Sequence, residues 1–217
     1  RLIRQCKTLM IEKIMGIGQY LALALRALEQ AQNDYIKKEK LENVAETIQG
    51  CAVAAAIAGV GSGWLPGAGS LVATGVWVAT IWGMYIKVNH DLGIKIKDNV
   101  LKSLASAFLT NIIASAGSLI IAYALSFVVG FIPGFGTVGA IAIDGFLGYI
   151  TVYASGLLYI RFLTKVLHAK GNLDFSNLDV KTMAKETIKE SNVKDIIKEG
   201  RASFKEAKKE GKFKKKE

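Results

Sequence analysis

At 217 residues the chain is long enough for one or two domains. Its apolar fraction of 51% and mean hydropathy of +0.31 sit beside 21% charged residues, so apolar and charged residues must be segregated. A net charge of +10 suits an anionic surface without choosing between lipid and nucleic acid, while Cys6 and Cys51, far apart and outside any Cys-x-x-Cys pair, argue against a disulfide framework or a zinc site.

The stretch from Arg1 to Met15 carries charges throughout and does not read as a signal peptide. An amphipathic helix is predicted from about Leu2 to Gln32, followed by a polar turn near Asn33 to Lys40. From Thr47 to Ile86 the chain then runs without one charged side chain. Helix A is predicted over Leu41–Ser62 and helix B over Ser70–His90, joined by Gly63-Trp64-Leu65-Pro66-Gly67-Ala68-Gly69. Pro-Gly followed by a further Gly ends one helix and admits the next. A linker, Asp91 to Lys97, leads to a second uncharged run of similar length, Ser103 to Ile143. Helix C is predicted over Asp98–Val129 and helix D over Thr137–Ala169, with Asp98 and Thr137 as N-caps. Gly130-Phe131-Ile132-Pro133-Gly134-Phe135-Gly136 forms the second turn.

The two turns are copies of each other at one constant offset in the chain. Gly63, Pro66, Gly67 and Gly69 recur as Gly130, Pro133, Gly134 and Gly136. The helices before them carry small-residue stripes that match at the same offset: Cys51, Ala55, Gly59 and Gly63, then Ser118, Ala122, Ser126 and Gly130. Between helices in lipid the hydrophobic drive is weak, so close backbone approach at small residues supplies the packing. The stripes are therefore expected to be helix-packing faces.

A crossing helix needs about 20 apolar residues, and each uncharged run has room for two. Lys37, Lys38 and Lys40, then Lys87, Lys95, Lys97 and Lys102, then Arg161, Lys165 and Lys170 alternate with the two uncharged turns. Because Lys and Arg stay on the cytoplasmic side, the N-terminal segment, the linker and the tail are expected on one side. The expected architecture is all-α: a 1–40 amphipathic segment, a two-hairpin membrane domain over 41–169 (hairpins 41–90 and 98–169), and a polar, basic tail, helical or flexible, over 170–217. Full crossing and a re-entrant dip share this charge signature. A soluble bundle with a very apolar core is the competing architecture.

The run Trp64-Leu65-Pro66-Gly67 through Tyr85, the linker His90-Asp91-Leu92-Gly93-Ile94, and Phe131-Ile132-Pro133-Gly134-Phe135-Gly136 resemble a bacterial family of unknown function, number 697. They are also similar to the C-terminal helical region of immunity-related GTPases. The resemblance covers about Gly50 to Leu167 and implies a membrane-associating helical module beside a GTPase. The chain lacks the G-x-x-x-x-G-K-[ST] phosphate loop, so nucleotide hydrolysis would belong to another chain.

Nothing in the spacing suggests catalysis. His90 and His168 sit at helix ends, where a histidine suits the dipole. Asp144 lies inside helix D; an ionisable group within a span is costly and a functional suspect, either in a polar path with Asn111, Ser115 or Thr74 or paired with a basic side chain of a partner, while a helix D that starts near the surface would instead put Asp144 in the headgroup zone or make it a cap. Trp64, Trp82, Tyr85, Phe131, Tyr149, Tyr153 and Tyr159 suggest interfacial belts, and mid-helix Trp77 a lipid- or partner-facing ring. The tail after His168 has 14 Lys/Arg against 9 Asp/Glu. Its Lys208, Lys209, Lys212, Lys214, Lys215 and Lys216 suit anionic headgroups, and a solvated flexible tail is the plainest reading of the segment. Phe175, Phe204 and Phe213 are too scattered for nucleic-acid stacking. The expected function is a non-enzymatic membrane anchor or scaffold without cofactor or metal, bound to anionic lipid and to protein partners; an oligomeric pore and a soluble GTPase-linked module are the alternatives.

Overall fold

The computed structural model describes residues 18–31, 38–62, 69–129, 136–173, 175 and 179–213. Among these the chain is all-helical. The helices are α1 (Gln19–Ala31), α2 (Lys38–Ser62), α3 (Gly69–Leu92), α4 (Asp98–Val129), α5 (Gly136–Lys170), α6 (Val180–Glu190) and α7 (Val193–Lys209). Helices A to D become α2 to α5, with boundaries moved by a few residues. Asp98 is the first helical residue rather than the cap, and helix D begins one residue before Thr137. Leu2 to Ile17 of the amphipathic segment, and the turn residues Gly63, Pro66, Gly67, Gly130, Pro133 and Gly134, lie outside the described residues; Gly69 and Gly136 open α3 and α5.

Local chemistry sets the other ends. At the end of α3, Gly93 takes φ +72°. Its N–H donates to the His90 carbonyl at 3.1 Å, and the Ile94 N–H donates to the Asn89 carbonyl at 2.8 Å. This is the Schellman pattern, whose left-handed residue favours glycine. Asp179 caps α6 by accepting from the Thr182 N–H at 3.1 Å.

All six other helices touch α5. Every residue from Gly148 to Ile160 is buried. A helix apolar on all sides needs partners on all sides, and here the chain's own helices supply them. α2 lies along α5, and α3 and α4 flank it. α1, α6 and α7 close the remaining side.

The tail is therefore not a solvated flexible segment over its described part. Ala184, Thr187 and Ile188 of α6 are buried, as are Val193, Ile196, Ile197, Gly200, Phe204 and Ala207 of α7. The three tail aromatics converge on α5. Phe175 stacks on Phe162 at 6.1 Å, while Phe204 and Phe213 stand edge-on to Tyr149 at 5.3 and 6.0 Å. Phe204 and Phe213 meet at 4.9 Å because α7 doubles back over α5, whereas Phe175 reaches α5 ahead of α6.

Candidate functional site

The first of the two stripes forms a seam with α5. Ala55 is fully buried, Gly59 is buried and Cys51 half-buried. A Cβ added at Gly59 would lie 2.7 Å from the Asp144 carbonyl oxygen, and one at Gly148 2.8 Å from the Ala55 carbonyl oxygen. Backbones this close admit nothing larger than hydrogen. The second stripe behaves differently. Ser118 and Ala122 are exposed, so they pack against no helix among the described residues. Ser126 belongs to α4 but its side chain is outside the described residues, as is Gly130.

Most of the aromatic belt is core instead. Tyr85, Tyr153 and Tyr159 are 0% exposed and Tyr149 1%. Each hydroxyl has a partner. Tyr85 Oη meets Ser155 Oγ at 2.6 Å, Tyr159 Oη donates to Asn89 Oδ1 at 2.7 Å, and Tyr149 Oη meets Ser203 Oγ at 2.8 Å. Tyr85 and Tyr159 stack at 4.0 Å. A tyrosine can leave the interface for the interior once its hydroxyl is paired. Trp77 likewise is buried, its indole against Gly148, rather than facing lipid or a partner. Trp82 stays half-exposed with Lys102 4.4 Å above its ring.

The outer surface of α2, α3 and α4 is uncharged over a long stretch. On α4 the exposed residues from Ser106 to Ala122 include Thr110, Ile113, Ser118 and Ile121. On α3 they are Gly75, Ala79, Gly83 and Ile86; on α2, Gly50, Ala54 and Ile57. Charges resume together at one end, at Glu46, Lys87 and Lys102. α4 over Asp98–Tyr123 and α5 over Asp144–Lys170 are long and apolar enough to cross a membrane. The two differ in surroundings: of the most apolar 18 residues in each, 39% are buried inside the protein in the first and 89% in the second.

Among the described residues Asp144 and Asn111 are not brought together. Asn111 donates its amide to the Ala107 carbonyl of its own helix at 2.7 Å. Phe108 meets Phe162 at 6.2 Å, and only residues 130–135 separate α4 from α5 in the chain. Antiparallel pairing then puts Asp144 opposite the far end of α4, on the order of 20 Å along the axis from Asn111. Among the described residues no three His, Cys, Asp or Glu side chains converge as a metal would need.

On the opposite flank lies a cluster that joins three helices. The Glu199 carboxylate of α7 accepts from the Tyr20 and Leu21 amides at the start of α1, the latter at 3.1 Å, and from Tyr153 Oη of α5 at 2.9 Å. The first amides of a helix lack internal partners and favour an anion. Tyr20 Oη donates to Asp195, one turn earlier on α7, at 3.2 Å. Partial burial first, then the Asp195 charge, push the Tyr20 phenol above its ordinary range. The Lys198 ammonium, 3.0 Å away, holds the Asp195 carboxyl below its own. Gly18 precedes α1 at φ +115°, and a Cβ there would overlap both Tyr153 Oη and the Glu199 carboxylate.

This cluster is invisible to sequence spacing, because Tyr20 and Glu199 are 179 positions apart. The legible signal was the apolar period of 193, 196, 197, 200, 204 and 207, which marks one face of α7. The basic cluster is partly tied locally: Lys209 pairs with Glu206 at 3.2 Å and Lys212 with Glu210 at 2.6 Å. Partial desolvation lowers the Lys208 ammonium below its ordinary range. Lys214, Lys215 and Lys216 lie outside the described residues.

Comparison with protein-family models, curated proteins and solved structures finds no match.

Proposed function

We propose that the chain is a non-enzymatic membrane-associated helical protein that anchors a larger assembly, its two α-hairpins entering the bilayer from one basic side. The uncharged outer face of α2, α3 and α4 carries this reading, because it ends at one level with Glu46, Lys87 and Lys102. On α4 alone that face runs about 24 Å, from Ser106 to Ala122, most of the roughly 30 Å hydrocarbon thickness. Trp82 under Lys102 lies at the boundary, where an amphipathic ring is favoured. The resemblance to the bacterial family and to the GTPase helical region fits the same role, with protein partners docking on the charged side.

The second reading is a soluble helical module, and the enclosure of α5 by its own chain favours it: a core helix passes the same length and composition test as a span. Carbonate extraction of the expressed protein separates the two. Retention in the membrane pellet is the expected result, and complete release into the supernatant overturns the membrane reading.

A further inference from the structure

The structure holds two features that conflict in a single state. α5 is apolar enough to span, yet α7 lies across it with Lys205, Glu206, Lys208 and Lys209 exposed. The contact is deep in the segment. Gly200 faces Ile150 and Tyr153, Phe204 stands edge-on to Phe146 at 5.1 Å, and Arg201 lies 4.5 Å over the Tyr123 ring of α4. With α7 docked, this side of α5 is closed to lipid.

Building on the membrane reading above, we propose that α7 and α1 form a releasable sheath, latched by Glu199, and that an anionic lipid surface opens it. The two helices are coupled through one carboxylate, since Glu199 binds the α1 amides and Tyr153 together. Moving α7 therefore strips the cap from α1 and the hydroxyl partner from Tyr153. The released helix is itself suited to the headgroup zone. Its buried stripe, Val193, Ile196, Ile197 and Phe204, opposes an outer face with Lys194, Lys198, Lys205 and Lys209, the pattern of a helix that lies in the interface. The face uncovered on α5 is Phe146, Tyr149, Ile150 and Tyr153, at the spacing of one helical stripe. Lipid can then replace α7 against α5, while α7 trades that contact for the bilayer surface.

A reversible lock tests this. Both Ile150 Cγ atoms lie 3.7 Å from where a Gly200 Cβ would be, so cysteines at 150 and 200 come within disulfide reach. The full chain carries Ile150→Cys and Gly200→Cys with Cys6→Ala and Cys51→Ala, and is offered vesicles of phosphatidylcholine and phosphatidylglycerol at 3:1. Carbonate-resistant association is read after flotation. The expected result is at least a tenfold loss on oxidation, restored by reductant, with unchanged helicity by circular dichroism. Glu199→Gln in the native background should insert several-fold faster and show faster hydrogen exchange at the Tyr20 and Leu21 amides. Equal insertion of the oxidised and reduced forms overturns the sheath and leaves the membrane reading standing. A pair that does not oxidise also overturns it, because α7 would not be on α5. Failure of every form to associate, the native chain included, overturns both.

Discussion

The stripes on α2 and α4 occupy equivalent positions of the two repeats, and the fold treats them oppositely. On α2, Ala55 and Gly59 are pressed against the α5 backbone; on α4, Ser118 and Ala122 face outward. The composition is alike, so the difference comes from what is offered opposite. α5 presents Gly145 and Gly148 to α2, whereas the matching positions of α3, Val78 and Ile81, hold branched side chains. Two smooth surfaces can meet at backbone distance, and a smooth surface against a knobbed one cannot. A repeat in sequence need not be a repeat in packing.

The largest expected effect tests that contrast directly. Gly148→Leu or Gly59→Leu should destabilise the fold by about 3 kcal/mol or more, as overpacking against backbone does, whereas Ser118→Leu should stay within about 0.5 kcal/mol. Thermal melting followed by circular dichroism reads both, and equal losses would erase the distinction between the stripes. The opposite flank of α5 comes next. Glu199→Ala leaves two amides and the Tyr153 hydroxyl without their acceptor, and should cost about 2 kcal/mol, measured by urea unfolding. Within the core, Tyr159→Phe orphans the Asn89 side-chain oxygen Oδ1, buried with its residue at 4% exposure, and should cost about 1–2 kcal/mol in the same assay.

The smallest effect lies at the exposed start of α6. Thr182, by its hydroxyl and its N–H, holds the Asp179 carboxyl below the ordinary carboxylate range. A depressed value in the folded state means stability present above the unfolded value of about 4 and lost as pH falls through the lower one. Exchange of the Thr182 amide should accelerate selectively in that acid window. Asp179→Asn, which keeps an acceptor without the charge, should abolish the pH dependence.

Much of the architecture was legible in the chain. Long uncharged runs, scarce proline and Pro-Gly punctuation fix where α2 to α5 lie to within a few residues, because helix boundaries follow local backbone chemistry. Of the small-residue period of α2, Ala55 and Gly59 lie against the α5 backbone. The placement of the tyrosines was not legible. Tyr85, Tyr149, Tyr153 and Tyr159 have the composition of an interfacial belt, and their burial depends on Ser155, Ser203, Glu199 and Asn89, which arrive from distant positions in the chain.

The sequence by itself determined that this is a helical chain with two apolar repeats, uncharged Pro-Gly segments and a basic end, since periodicity, propensity and charge runs act locally. Only the tertiary structure decided that α5 is the axis, that Ala55 and Gly59 are inside while Ser118 and Ala122 are outside, and that α7 of the basic tail is held to α1 through Glu199. Those outcomes depend on which surfaces fit at contact distance and which buried polar groups find partners. Both are properties of pairs far apart in the chain, which no single segment encodes.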